Sequence, residues 1–237
     1  MSTMSVYREA NGIVFGQVED AYPGDGVTPW VLDTTFSNDV LVWTGARTAG
    51  QERSTLPDEA VLSYDFQLDT SDLYLFRMNS NQPSSSPSDA DNDAWVRVLD
   101  ATGTAVAPTL IARRAGASTD VTPSPVVGFE PDSWFKTYKF NGFSLNTFTI
   151  DANPREFGWA LDPGSVYTLQ IGGRDGLELD YWSFAQASLS QNEVASADPV
   201  AFFGDMTPIP LPATAPLLAG GLILCLLLKR MAPRQSV

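Results

Sequence analysis

The chain predicts an all-β protein, a two-layer antiparallel β-sandwich, followed by one C-terminal helix of transmembrane type. Three observations lead there. Short runs rich in Val, Tyr, Phe, Trp and Thr recur up to residue 187. Clusters of Gly, Pro, Asn, Asp and Ser separate them, as turns between strands do. No stretch before residue 213 sustains the helical period that an amphipathic helix requires.

In order, the strand runs are "IVFGQVE" (13–19), "DVLVWTG" (39–45), "AVLSYDFQL" (60–68), "DLYLFRMN" (72–79), "AWVRVLD" (94–100), "NTFTID" (146–151), "VYTLQIGG" (166–173) and "LDYWSFAQA" (179–187). Two long loops interrupt them. "NSNQPSSSPSDADND" (79–93) is polar throughout and predicts an exposed connection. "RRAGASTDVTPSPVVGFEPDS" (113–133) is punctuated by proline and predicts irregular chain. The expected organisation is an N-terminal extension (1–11), the sandwich (12–189), a linker (190–207) and an apolar tail (208–237). There is no internal repeat.

Charge and composition exclude several function classes. All 28 acidic residues lie at or before Asp205, whereas three of the 14 basic ones, Lys229, Arg230 and Arg234, follow it. The body therefore sets eleven basic residues against 28 acidic ones, a net charge of −17. Such a surface repels phosphates, and no Lys/Arg cluster offers a nucleic-acid footprint. The chain has no histidine, which removes Ser–His–Asp and Cys–His catalysis and imidazole-based zinc sites. Cys225 is the only cysteine and sits in the apolar tail, so the body forms no disulfide. Cys225 reads as a small apolar residue of that run, with lipid attachment as the other option. The start, "MSTMSVYREANGIVFGQ", lacks the basic segment and apolar core of a signal peptide. The expectation is a true start upstream of Met1, or insertion from the C-terminal end.

Five segments, in order, resemble carbohydrate-binding modules of the galactose-binding-like β-sandwich fold. "GIVFGQVEDA" is similar to the Glu-Ala-Glu strand that opens such modules, with Gln17 and Val18 in place of its first two residues. "LSYDFQLDTSDLYLFRMNS" is similar to their tyrosine-bearing strand, turn and Tyr-x-Leu-x-x-Arg strand. "NDAWVRV" (92–98) resembles an Asn-Asp-Ser-Trp-Val-Arg run, and "DSWFKTYKFNG" (132–142) an Asp-Gly-Trp-Phe-Lys-Val-Tyr segment. "LDPGSVYTLQIGGRDGLELDYWSF" (161–184) resembles the module's closing Pro-Gly turn, Gly-Arg segment and Asp-bearing last strand. Asp175 stands where the family has Ser, and Tyr181 where it usually has a basic residue, which bears on ligand identity more than on fold. The resemblance implies a jelly-roll sandwich that binds glycan without cleaving it.

Residue chemistry bears on the same positions. Pro163 and Gly164 suit a turn into a strand, Pro by its fixed φ and Gly by accepting positive φ. Gly172, Gly173 and Gly176 around Arg174 imply a backbone that bends or is closely approached. Sugar binding needs a flat apolar face for C–H groups and planar polar groups for hydroxyls. The candidates are Trp134, Tyr138, Asn141, Trp159, Arg174 and Asn92. Against this stands the ordinary role of tryptophan in a sandwich, which is core, and for Arg174 a structural pairing with a loop carboxylate.

For metals, "DADNDAWVRVLD" (89–100) has Asp89, Asp91, Asp93 and Asp100 at calcium-loop spacing. Ala94 occupies the position that needs glycine, and residues 95–99 read as strand, which argues against an EF-hand. The family resemblance implies a different structural Ca2+, between the first-strand Glu19 and the last-strand Asp180; oxygen ligands suit that ion. A glycosidase would need two carboxylates at set separation, one with raised pKa, and no motif singles out such a pair.

From Ile209 to Leu228 run 20 uncharged residues, followed by Lys229 and Arg230. Length and positive flank fit a membrane segment with a cytoplasmic end. However, Pro208, Pro210, Pro212 and Pro216 deny helix to its first part. A helix from Pro216 to Leu228 spans about 20 Å, short of a ~30 Å bilayer core. The motif Pro210-Leu211-Pro212-Ala213, the apolar helix and the basic end resemble the VPLPA variant of the PEP-CTERM sorting signal, with Ile209 for Val. That resemblance implies processing by a membrane-embedded exosortase on an exported protein of a Gram-negative bacterium that makes extracellular polysaccharide. An ordinary tail anchor is the alternative. The expected function is a non-catalytic, surface- or matrix-associated glycan binder. A structural or adhesion protein without sugar binding is the first alternative, and a carboxylate glycosidase the second.

Overall fold

The structure is a computed structural model that describes residues 6–22, 24, 29–36, 38–45, 61–81, 93–111, 123–125, 134–138, 144–145, 156–173 and 176–197. These all fall in one compact unit, Ser5–Thr207. The strands are β1 (Val6–Arg8), β2 (Ile13–Gln17), β3 (Trp30–Asp33), β4 (Val40–Trp43), β5 (Val61–Gln67), β6 (Asp72–Asn81), β7 (Asp93–Leu99), β8 (Ala105–Val106), β9 (Thr109–Ile111), β10 (Pro123–Pro125), β11 (Phe135–Tyr138), β12 (Ser144–Leu145), β13 (Phe157–Leu161), β14 (Val166–Gly173) and β15 (Glu178–Gln186). A 3-10 turn, Glu19–Ala21, follows β2, and helix α1 (Gln191–Ser196) follows β15.

Two sheets form the all-β sandwich that the strand runs predict. The first has the order β1-β5-β14-β7-β11, with β8 added to β7. The second has the order β10-β9-β13-β6-β15-β4-β3, with β2 also on β15 and β12 also on β6. Every described pairing is antiparallel except β1 with β5.

Alternation sets the layers. In β5, Leu62, Tyr64 and Phe66 are buried while Ser63 is exposed, and in β14 Tyr167, Leu169 and Ile171 are buried. Side chains two residues apart share a face, so each strand offers one apolar row to the core. The rows meet between the sheets. Phe66 of β5 stacks on Phe184 of β15 at 4.7 Å, and Trp182 of β15 packs on Tyr64 of β5 at 5.4 Å. All six tryptophans are buried, and all six belong to one continuous apolar cluster with Phe66, Phe76 and Phe184. Burying one such ring is worth about 1.5–3 kcal/mol or more.

Several expectations change. The N-terminal extension is partly sandwich: Val6–Arg8 pair with β5. Glu9 then accepts hydrogen bonds from the Asp69 and Thr70 amides (2.8 and 3.2 Å) and the Tyr74 hydroxyl (2.7 Å). Asn79 and Ser80, expected in an exposed loop, end β6 with 8% and 0% exposure. Their strand is long because polar partners lie across it: the Asn79 amide donates to Asp180 at 2.7 Å and Asn81 to Glu178 at 2.7 Å. The linker begins with α1, whose Ser190 and Glu193 cap each other reciprocally and whose Val194 is buried with Ile13, Phe15 and Ala185. Pro123–Pro125 in the proline-punctuated segment pair with β9. "NTFTID" lies outside the described residues, as does the tail with Pro210, Leu211, Pro212, Ala213, Lys229 and Arg230. Among the described residues no helix is long and apolar enough to cross a membrane.

Candidate functional site

The first sheet gathers most of the candidate segments at one end. Tyr138 pairs with Asp93, and Gly173 with Ala94. The start of β7 and the ends of β11 and β14 therefore lie side by side. Asn92, Asn141 and Arg174 lie outside the described residues, and so do the side chains of Tyr138 and Asp93 and the acids Asp89 and Asp91. Gly173 is the last residue of β14, and the Trp30–Trp43 pair, edge to face at 5.3 Å, lies against it. A Cβ at that position would meet Trp43 at 2.4 Å and Trp30 at 2.6 Å, the close approach expected of this glycine segment.

Trp134 and Trp159 are corrected as sugar-stacking faces. Both have 0% exposure; Trp134 immediately precedes β11 of the first sheet, and Trp159 lies in β13 of the second. The Trp159 indole donates to the Val106 carbonyl at 2.9 Å and packs edge-on against Phe157 and Phe184. The Trp134 face is taken by Arg97, whose guanidinium carbon lies 4.5 Å from the ring centroid, a cation–π contact.

That contact is one end of a row that the sequence reading did not single out. Gln170 pairs with Ser63 on one side and Arg97 on the other. The Arg97 Nε donates to Gln170 Oε1 at 2.7 Å, and Gln170 Nε2 donates to Ser63 Oγ at 3.2 Å. One step along the same face, the Thr168 hydroxyl donates to Asp65 at 2.6 Å. Hydroxyl, amide and guanidinium thus cross the sheet from β5 through β14 to β7, where Arg97 meets the buried Trp134. Ser63 is exposed; Asp65, Arg97, Thr168 and Gln170 are half-buried. The signal available in sequence was the polar residue at every second position of "AVLSYDFQL" and "VYTLQIGG".

A second cluster lies on the other sheet, around Glu19 and Asp180. The Asp180 carboxylate accepts from Asn79 at 2.7 Å and also from Asn38. Asp20 accepts from the Tyr7 hydroxyl, and the Tyr64 hydroxyl donates to the Val18 carbonyl at 2.9 Å. Burial pushes the Glu19 carboxyl up to about 7, helped by the charges of Asp20, Asp39 and Asp180 and opposed by a backbone hydrogen bond. Burial also raises Asp180. Among the described residues no three acidic, cysteine or histidine side chains converge to hold a metal. Glu19 feels the Asp180 charge, and the Asp180 carboxylate accepts from two side-chain amides.

The cluster makes a pH prediction. The folded state holds the Glu19 proton more tightly than the unfolded chain, whose glutamate titrates near ~4.3. Its stabilising contribution is complete below that value and is lost as pH rises through about 7. The denaturant midpoint should fall between those limits, and Glu19→Gln should flatten the fall. The carboxyls Asp33, Asp100 and Glu193 are lowered by hydrogen bonds from Thr35, from Thr102 and Thr104, and from Ser190, and act only at more acid pH. Parallel pH profiles for the variant and the parent would refute the assignment to Glu19.

In comparisons with known proteins, the chain matches no family model and no curated protein.

Proposed function

We propose that this sandwich is a non-catalytic glycan-binding module of galactose-binding-like type, exported to the cell surface or extracellular matrix through its C-terminal sorting signal. The supporting observation is the outer face of the first sheet. There Ser63, Gln170 and Arg97 form one hydrogen-bonded row of planar polar groups, half-exposed and held in register by β5, β14 and β7. Such groups bond sugar hydroxyls in fixed directions without chemistry of their own. The same strands lead to the segments carrying Asn92, Tyr138, Asn141 and Arg174. Because the tryptophan faces are buried, recognition on this face is polar, and affinity per sugar is modest.

A glycan array on the full chain tests the reading, run once with calcium and once with a chelator. Binding to at least one polysaccharide is expected in both. Gln170→Ala and Arg174→Ala should each weaken it by roughly tenfold, the equivalent of one good hydrogen bond. Asp100→Asn, at the opposite end of β7, should leave it unchanged. Absence of binding to every polysaccharide, including that of the producing cell, would leave a structural or adhesion role. Cleavage of a bound glycan would bring the glycosidase back. The sorting part is checked by the mass of the mature protein: a chain ending before Pro210 fits processing, and one intact to Val237 fits a permanent anchor.

A further inference from the structure

The connection between β1 and β2 carries Asn11 followed by Gly12, with φ of 54° and 80°. Positive φ at both central residues is the primed turn that joins two strands through two residues. Ala10 and Ile13 close it by exchanging backbone hydrogen bonds of 2.8 and 3.1 Å. Asn11 is exposed. Among the described residues, neither its side-chain amide nor the Gly12 N–H takes a hydrogen-bond partner, although the Gly12 carbonyl accepts from the Gln186 amide at 2.9 Å.

We propose that Asn11 is a site of spontaneous covalent modification, in which its side-chain amide is lost through a cyclic imide. A base, hydroxide or buffer, removes the proton of the Gly12 nitrogen, which attacks Asn11 Cγ. The new C–N bond forms as the bond from Cγ to the amide nitrogen breaks, and that nitrogen leaves as ammonia with the returned proton. Water then opens the ring. Cleavage at Cγ yields aspartate in the normal backbone. Cleavage at the main-chain carbonyl yields isoaspartate, with the backbone rerouted through the side chain. No electrons are transferred, and water is the only co-reactant.

Four other described asparagines lack this combination. The Asn79 and Asn81 amides are held by Asp180 and Glu178, and that of Asn38 also serves Asp180. Asn192 sits in α1 and precedes Glu193. Each is followed by a residue with a side chain, which shields the attacking nitrogen, whereas Gly12 has none. The turn restrains the backbone, so attack follows local opening, and the folded chain reacts more slowly than the unfolded one.

The consequence is structural. Isoaspartate adds a backbone atom to a turn that accommodates two residues, and it disturbs the Ala10–Ile13 bridge. The site around Gly12 has no slack: a Cβ there would lie 2.8 Å from the Gln186 side-chain oxygen. Either product adds a carboxylate two residues from the buried Glu9.

The test incubates the full chain in mildly alkaline buffer and follows each asparagine-bearing peptide by mass and by isoaspartyl methyltransferase labelling. Residue 11 should convert roughly tenfold faster than Asn38, Asn79, Asn81 or Asn192, thermolability being an ordinary property of asparagine. Asn11→Gly keeps a turn that accepts both positive φ values and should abolish labelling of that peptide while leaving the unfolding midpoint near the parent's. The isoaspartyl fraction should unfold at lower denaturant than unconverted chain. Retention of the Asn11 amide while any of those four converts would overturn the proposal, as would labelling of the residue-11 peptide that survives Asn11→Gly.

Discussion

Trp182→Ala is expected to destabilise the domain by about 3–5 kcal/mol, the range for removing a fully buried tryptophan. For a domain of this size that lowers Tm by roughly 6–20 °C. Trp182 has 0% exposure and sits where the two sheets meet. Its ring contacts Tyr7, Tyr64, Phe66 and Phe184 at centroid distances of 5.3, 5.4, 6.1 and 5.9 Å. Those neighbours come from β1, β5 and β15, so no single strand can shift to close the cavity. Trp182→Phe should cost far less, because the buried Trp182 indole N–H has no hydrogen-bond partner and its loss removes an unsatisfied donor. Trp159→Phe makes the contrast, since it also breaks the 2.9 Å bond to Val106 and strands that carbonyl. Denaturant midpoints for the three variants decide the matter. A Trp182→Phe loss exceeding that of Trp159→Phe would show that volume outweighs hydrogen bonding here.

Gly158→Ala is expected to cost about 3 kcal/mol or more, the upper end for overpacking. A Cβ on Gly158 would fall 1.9 Å from the Tyr74 carbonyl oxygen and 2.7 Å from its carbon. Both are backbone atoms of β6, which pairs with β13 at Gly158–Leu75, so no rotamer relieves the clash and the strands must part. Gly164→Ala isolates the other cost of replacing glycine. Its φ is 76° with nothing within 4 Å of the added Cβ, so only about 1–2 kcal/mol of left-handed strain is expected. Equal losses for the two variants would mean that β13 and β6 give way more easily than their shared ladder implies.

Gly158 also shows where sequence reading falls short. "FGWAL" is a strand, β13, yet its glycine interrupts the β-forming run, and Trp159 then looks like a loop aromatic available to a ligand. Nothing local says that this glycine is there because β6 passes against it. Seven of the eight strand runs, by contrast, correspond to β2, β4, β5, β6, β7, β14 and β15. Their alternation was readable because side-chain direction depends only on neighbours two residues apart. The helix α1 carried a legible start in "SQNE", a Ser and Glu at capping-box spacing, but six residues are too few for a periodicity signal. The candidate site was legible in part. The resemblance drew attention to Asn92, Tyr138 and Arg174, and strand pairing puts the ends that lead to them side by side. The row of Ser63, Gln170 and Arg97 was not singled out, because polar residues on a solvent face look alike until pairing aligns them.

The sequence by itself determined the strand content, the inward and outward faces of the main strands, the acidic body without histidine or disulfide, and the apolar basic-ended tail. These follow from composition and from spacing over a few residues. Only the tertiary structure decided that every tryptophan is interior, that Asn79 and Ser80 are buried, and that Glu19 holds its proton near neutral pH. Each of those depends on partners far along the chain. Asn79 and Asp180, for example, are 101 residues apart. A buried polar group is tolerated only when such a partner reaches it, and a carboxyl pKa moves only when burial and other charges surround it. Spacing along a chain carries neither piece of information until the sheets close over each other.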